Sequence, residues 1–241
     1  MRLEVFPVSH KGYLLARRLS PGFTGALIHS PKGLRKHGLA RKVKRAFLSS
    51  DGLIFISAAG IAVRTIAPFL RGKHLDPAVV VMDEAGRFAV SLVSGHLGGA
   101  NELARNLAAF IGATPVITTA TDSWGLPCAE DIVKRFGLAI EDVKKIKPVN
   151  SAILKGGPVL IIDAEARRLK DIRGYLGGKD NGIFSFSRIL PAAPQAKACV
   201  FITSRAWTGL KRPMNDKTLI LRPREFTAGV GCMRGASSKE I

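Results

Sequence analysis

The sequence predicts an α/β fold: a parallel-dominated sheet with helices on both faces, followed by a second, smaller α/β domain. Three observations predict it. Short apolar runs alternate with amphipathic segments along the whole chain. The turns between them carry Gly, Asp and Ser punctuation. The texture changes near residue 128, where Gly, Pro, Lys and Arg crowd the connections.

The first half reads in order. Leu3 to Val8 is a short strand, followed by a basic helix from Lys11 to Leu19 and a strand from Ala26 to His29. A helix fits His37 to Leu48, with Leu39, Val43, Ala46 and Phe47 on one side. Leu53 to Ser57 is a buried strand, and Ala58-Ala59-Gly60 turns into a helix from Ile61 to Leu70. Ala78 to Met82 and Arg87 to Leu92 are strands joined by Asp83-Glu84-Ala85-Gly86, a hairpin signature. A long helix covers Ala100 to Ile111, with Leu103, Leu107, Phe110 and Ile111 as its apolar stripe. Thr114 to Thr118 is the next strand.

The second half continues the alternation. Glu130 to Leu138 and Glu141 to Leu154 read as helices, the latter with a break or kink at Pro148. Val159 to Asp163, Gly182 to Phe186, Ala198 to Thr203 and Thr218 to Leu221 read as strands, and Thr227 to Cys232 as one more. The expected domains are 1–127, 128–226, and the start of a third at 227–241.

Composition narrows the function classes. With 46% hydrophobic and 23% charged residues, the 241-residue chain has a globular balance. Apolar runs such as Ala78 to Met82 are too short to span a bilayer, so no membrane partner is expected and the cytoplasm is the expected location. Cys128, Cys199 and Cys232 are too scattered for a disulfide framework or a zinc site. The net charge of +19 is uneven: residues 1–50 hold 11 Lys+Arg against 1 Asp+Glu, whereas residues 51–131 hold 5 against 8. Aromatics make up only 7% and do not interleave with basic residues, so no nucleic-acid partner is expected.

Four clusters could carry chemistry. Ala58-Ala59-Gly60 leads into a helix with Arg64 one turn on, which is an anion site or simply a tight βα connection. Lys73 and Asp76-Pro77 precede a strand that ends in Asp83-Glu84, paired acids that could act as base or ligand or simply be ordinary turn chemistry. Ser94-Gly95-His96-Leu97-Gly98-Gly99-Ala100-Asn101-Glu102 is the most informative. Its glycines let backbone approach a ligand, and His96 can transfer a proton near neutral pH. Asn101 and Glu102 serve equally well as helix-start residues. Finally, Thr118, Thr119, Thr121 and Asp122 form a polar pocket wall or a helix cap. No Gly-x-Ser-x-Gly elbow and no His/Cys metal spacing appear, so no metal ligands are assigned.

In this order the clusters resemble the cobalt-precorrin-5A hydrolase family of anaerobic cobalamin biosynthesis. The match is strongest over residues 47–127, looser over 128–225, and returns at Gly229-Val230-Gly231-Cys232-Met233-Arg234-Gly235, similar to the opening of the family's C-terminal domain. The resemblance implies hydrolysis of the δ-lactone of cobalt-precorrin-5A, with release of acetaldehyde and formation of cobalt-precorrin-5B. It implies an anionic corrinoid macrocycle as substrate, and no cofactor, because cobalt belongs to that substrate. The roles expected from residue chemistry make His96 the proton-transfer group, with Glu102 or Asp122 as orienter or alternative base. Gly60, Arg64, Lys73, Gly98, Gly99, Asn101, Thr118, Thr119 and Thr121 are the expected substrate-binding set. Family members continue well beyond the point where this sequence stops. The expectation is therefore a truncated chain, a fragmentary gene, or one half of a split enzyme needing a separate C-terminal domain; the expected partner is that domain or, in a homo-oligomer, a second copy of the chain. The rival reading is a non-catalytic corrinoid carrier.

Overall fold

Alternating apolar runs become strands whose two faces are both covered by helices. The computed structural model describes residues 1–164, 184–187, 196–204 and 215–224, in two units, Met1–Thr119 and Ala120–Ile241. The predicted fold class is the observed one.

In the first unit, β1 (Leu3–Pro7), β2 (Leu27–Ile28), β3 (Gly52–Ile56), β4 (Ala78–Met82), β5 (Phe88–Val93) and β6 (Thr114–Val116) form one sheet in the order β2-β1-β3-β4-β5-β6. Neighbours are parallel except β4 and β5, which form the expected hairpin. Its turn is closed by Asp83 Oδ1, which accepts from the backbone N–H groups of Arg87 and Phe88. Alternate residues of each strand face opposite ways. Val5, Ile54, Ile56, Val80 and Met82 pack with Leu15 and Leu19 of α1 (His10–Leu19) and Leu103 and Leu107 of α5 (Ala100–Ile111). Phe6, Leu53, Phe55, Val79 and Val81 face Leu34 of α2 (Pro31–His37), Val43 and Phe47 of α3 (Leu39–Ser49), and Ala62 and Ile66 of α4 (Ala59–Ile66).

Two boundaries differ from expectation for backbone reasons. Ser30 caps α2 by accepting from Gly33 N–H, with Pro31 in the first turn, so a helix starts well before His37. Gly38, at φ +77°, then separates α2 from α3. The helix expected to run to Leu70 ends at Ile66 and continues as a 3₁₀ turn over Ala67–Phe69.

Beneath α3 lies a polar network that periodicity does not reveal. His29 Nε2 is 2.7 Å from Glu4 Oε2, and Ser50 Oγ donates to Glu4 Oε1 at 2.8 Å; all three residues are buried. The His29 ring stacks on Phe6 at 4.6 Å. Burial holds the His29 pKa below its ordinary 6.5, with Lys42 and Arg45 adding like-charge repulsion and Glu4 opposing both. A histidine whose folded pKa is depressed stabilises the fold above the unfolded pKa and loses that contribution as pH falls, because the unfolded chain binds the extra proton. The unfolding midpoint of the first unit is therefore expected to drop as pH is lowered through about 6.5. The comparison of thermal melts for the parent and His29→Phe between neutral and mildly acidic pH checks this. The variant should lose the part of the slope that His29 carries.

In the second unit, α6 (Ala120–Ser123), α7 (Ala129–Arg135) and α8 (Ile146–Leu154) accompany β7 (Leu138–Ile140), β8 (Val159–Asp163), β9 (Phe184–Ser187), β10 (Ala198–Ile202) and β11 (Thr218–Pro223). The sheet order is β7-β11-β10-β8-β9, parallel except at β7. The helix expected to reach Leu138 stops at Arg135, Gly137 turns the chain at φ +60°, and Leu138 enters β7. Pro148 sits in the first turn of α8, where its missing N–H has no intrahelical role, so it does not break the helix. The expected strand Thr227 to Cys232 and the segment 227–241 lie outside the described residues.

Candidate functional site

The direction of β5 decides where the Gly-rich segment lies. Val79 pairs with Val93 and Met82 with Ala89, so β5 ends at the edge where β1, β3 and β4 begin. The loop Ser94 to Gly99 follows at that amino edge, and a Cβ added to Gly98 would stand 3.4 Å from Ala78 N. The segment carrying Lys73 enters β4 at the same edge, and β6 delivers Thr118 and Thr119 there. Gly60 and Arg64 follow the end of β3 and belong to the opposite edge. There the Arg64 guanidinium donates back to the Gly60 carbonyl at 3.3 Å. A five-residue strand, at about 3.3 Å per residue, puts the two edges on the order of 15 Å apart. Gly60 and Arg64, expected in one substrate-binding set with residues of the His96 loop, therefore lie at the opposite edge of the sheet from that loop. The reason is the antiparallel turn, which sends β5 back down the sheet. Thr121 and Asp122 belong to the second unit, where they form part of α6 and Thr121 is buried.

At the amino edge the loop is built tightly. A bulge makes Leu92 an extra residue between the Val79–Val93 and Val80–Ser91 pairs. Ser94 follows at φ +59°, the one non-glycine with positive φ among the described residues. Its hydroxyl is buried and has no hydrogen-bond partner. Gly99 N–H donates to the His96 carbonyl, Ala100 N–H to the Ser94 carbonyl, and Asn101 N–H to the Gly95 carbonyl. Buried Asn101 accepts from Ser91 Oγ at 2.6 Å and donates to Thr119 Oγ1 at 3.0 Å. The amides of Gly99 and Asn101, expected to hold a ligand, are thus committed to the loop's own frame. His96, on that loop, is half-buried. Glu102 is exposed in the first turn of α5, a favourable place for a negative charge. Asp76 is buried and accepts from the N–H groups of Arg71 and Gly72, fixing the turn that carries exposed Lys73.

Ser94 is the residue that sequence reading missed. Its signal was a serine between a strand and a glycine-rich turn, where an L residue at positive φ is uncommon. Gly98 packs directly against it. A Cβ there would come within 2.4 Å of Ser94 Cβ and 2.8 Å of its carbonyl oxygen. Gly98→Ala is expected to destabilise the first unit by roughly 1–3 kcal/mol and to displace the loop. Urea unfolding of parent and variant measures the loss.

Neither of the two described cysteines offers a nucleophile. Cys128 and Cys199 are buried, and burial pushes the Cys199 thiol up to about 12 and Cys128 higher still. Among the described residues, no three His, Cys, Asp or Glu side chains gather as a metal site requires, and no helix is long and apolar enough to cross a membrane.

Comparison with known proteins adds an independent finding. Residues 41–122 match the family profile described as cobalamin synthesis G N-terminal, and residues 131–223 match the one described as cobalamin biosynthesis central region. The Cobalt-precorrin-5A hydrolase of Salmonella typhimurium is 35% identical over 244 residues, an alignment covering 96% of this chain and 66% of that protein. The protein of the same name from Priestia megaterium is 36% identical over 198 residues, covering 81% of this chain and 52% of that one. The chain thus spans between half and two thirds of the length of these relatives.

Proposed function

The chain belongs to the cobalamin synthesis G family, and on that footing we propose that it hydrolyses cobalt-precorrin-5A. Water opens the δ-lactone, acetaldehyde leaves, and cobalt-precorrin-5B remains. Cobalt enters as part of the substrate. The observation that carries the reading is the pair of adjoining family matches, backed by two hydrolases at 35% and 36% identity.

The amino-edge loop supplies what such a step needs. Attack of water on the lactone carbonyl requires a group to take the proton and a donor for the developing oxyanion. His96 takes that proton and returns it to the leaving oxygen. Glu102 is its alternative. Gly98 N–H faces the oxyanion. Lys73 pairs a peripheral carboxylate of the macrocycle, and Thr118 contributes a hydroxyl. Asn101, Thr119 and Gly99 position the loop, through the hydrogen bonds that hold it. Gly60 and Arg64, at the other edge of the sheet, can bind only a different part of the ligand.

The test is to incubate the chain with cobalt-precorrin-5A and weigh the macrocycle by mass spectrometry. The reading predicts a product that has gained the elements of water and lost those of acetaldehyde. Recovery of unchanged macrocycle from this chain, alone and extended to the length of its relatives, while a longer relative converts it under the same conditions, would reject it.

A further inference from the structure

The most one-sided charge on the molecule lies away from the Gly-rich loop. Residues 31–49 contain seven Lys or Arg (Lys32, Arg35, Lys36, Arg41, Lys42, Lys44, Arg45) and no Asp or Glu. They build α2 and α3, which cover the face of the sheet opposite α5. Four basic side chains, His37, Arg41, Lys42 and Arg45, line a cavity of about 410 Å³ there.

We propose that this cavity binds a small multivalent oxyanion, one bearing two or more carboxylate or phosphate groups. Positive groups converging on one hollow repel each other, and like charges at i,i+4, as Arg41 and Arg45 are, destabilise a helix. Among the described residues, no carboxylate pairs with any of the four. The acid beneath α3 is Glu4, and its two oxygens are already engaged by His29 and Ser50. Burial is the chief cause of the lowered His29 pKa, and the Lys42 and Arg45 charges add to it. A bound oxyanion supplies the missing counter-charge, and two guanidinium forks on one helix face suit the planar oxygens of carboxylates and phosphates. The volume is that of a small-molecule site. No Phe, Tyr or Trp lines the cavity, so it lacks the row of large stacking rings that a single nucleic-acid strand uses. Residues 132–241 also carry more bases than acids, 21 against 9, but spread over 110 residues rather than gathered in nineteen.

The experiment is isothermal titration of the whole chain with pyrophosphate, citrate and acetate at fixed ionic strength. The comparison proteins are Arg41→Gln/Arg45→Gln and a control, Arg17→Gln/Arg18→Gln, which removes the same charge from exposed positions on α1. The expected result is saturable binding of pyrophosphate, citrate or both at least tenfold tighter than acetate. That binding should weaken tenfold or more in the cavity variant and stay unchanged in the control. Pyrophosphate and citrate report whether phosphate or carboxylate is preferred. If the double variant melts early, Arg41→Gln and Arg45→Gln singly carry the test, each expected to weaken binding about threefold. Equal weakening in the control overturns the proposal, as does acetate binding as tightly as citrate. Binding of a random DNA duplex in preference to all three anions, lost in the cavity variant, overturns it in favour of a nucleic-acid surface. None of these outcomes depends on the hydrolase reading.

Discussion

Replacing His96 by alanine is expected to slow acetaldehyde release by about 10²–10⁴-fold, the usual contribution of one positioned acid–base group. His96 stands on a loop whose amides are tied to its own carbonyls, so the imidazole is presented by a frame that a side-chain truncation leaves intact. The variant should therefore melt like the parent, and the loss should appear in kcat rather than in KM. Glu102→Gln gives the contrast. If Glu102 serves only the helix dipole, it changes turnover little and costs a few tenths of a kcal/mol of stability. A His96→Ala protein with parental kcat removes the histidine from the mechanism and passes its role to Glu102.

Glu4→Ala is expected to be the most damaging single change to the fold of the first unit, costing about 3–5 kcal/mol, as removal of one partner from a buried polar pair does. Glu4 is 1% exposed and joins two partners that are themselves buried. Its removal strands the Ser50 hydroxyl and the His29 ring nitrogen together, and Lys42 and Arg45 lie within electrostatic reach of that ring. Glu4→Gln keeps an acceptor and a similar volume, so it should lose less than half as much. Denaturant unfolding of the three proteins separates these cases. Equal stability of Glu4→Ala and parent would mean that the network contributes nothing.

Much of this molecule was legible in its sequence because both sheets are built from short apolar runs. β4, β8 and α5 have the expected limits, and β1, β3 and β10 are placed within one residue. What stayed hidden has physical causes. The three residues of β7 carry too little periodicity to compete with the helical reading of Glu130 to Leu138, and their identity as a strand comes only from pairing with β11. The Glu4–His29–Ser50 network joins positions 25 and 46 residues apart, which no local pattern shows. The site is the more instructive case. The Gly-rich segment was recognisable, but its clustering with Gly60 and Arg64 assumed that all strands point the same way. The Asp83 to Gly86 hairpin was visible in the sequence and already reverses β5. Following that reversal through would have sent the two motifs to opposite edges. The tying of Asn101 to Ser91 and Thr119 was not readable, because a first-turn asparagine serves a cap, a ligand or a core bond equally well.

Acetaldehyde release from cobalt-precorrin-5A is the measurement that meets the central claim most directly. It would be followed for the 241-residue chain and for the chain extended by the remaining length of its relatives. The account predicts release that depends on His96 in whichever protein is active. Release by the chain alone would place the reacting groups within residues 1–241. Release unaffected by His96→Ala, or no release from either protein while the macrocycle still binds, would contradict the account, and the latter would point to a carrier.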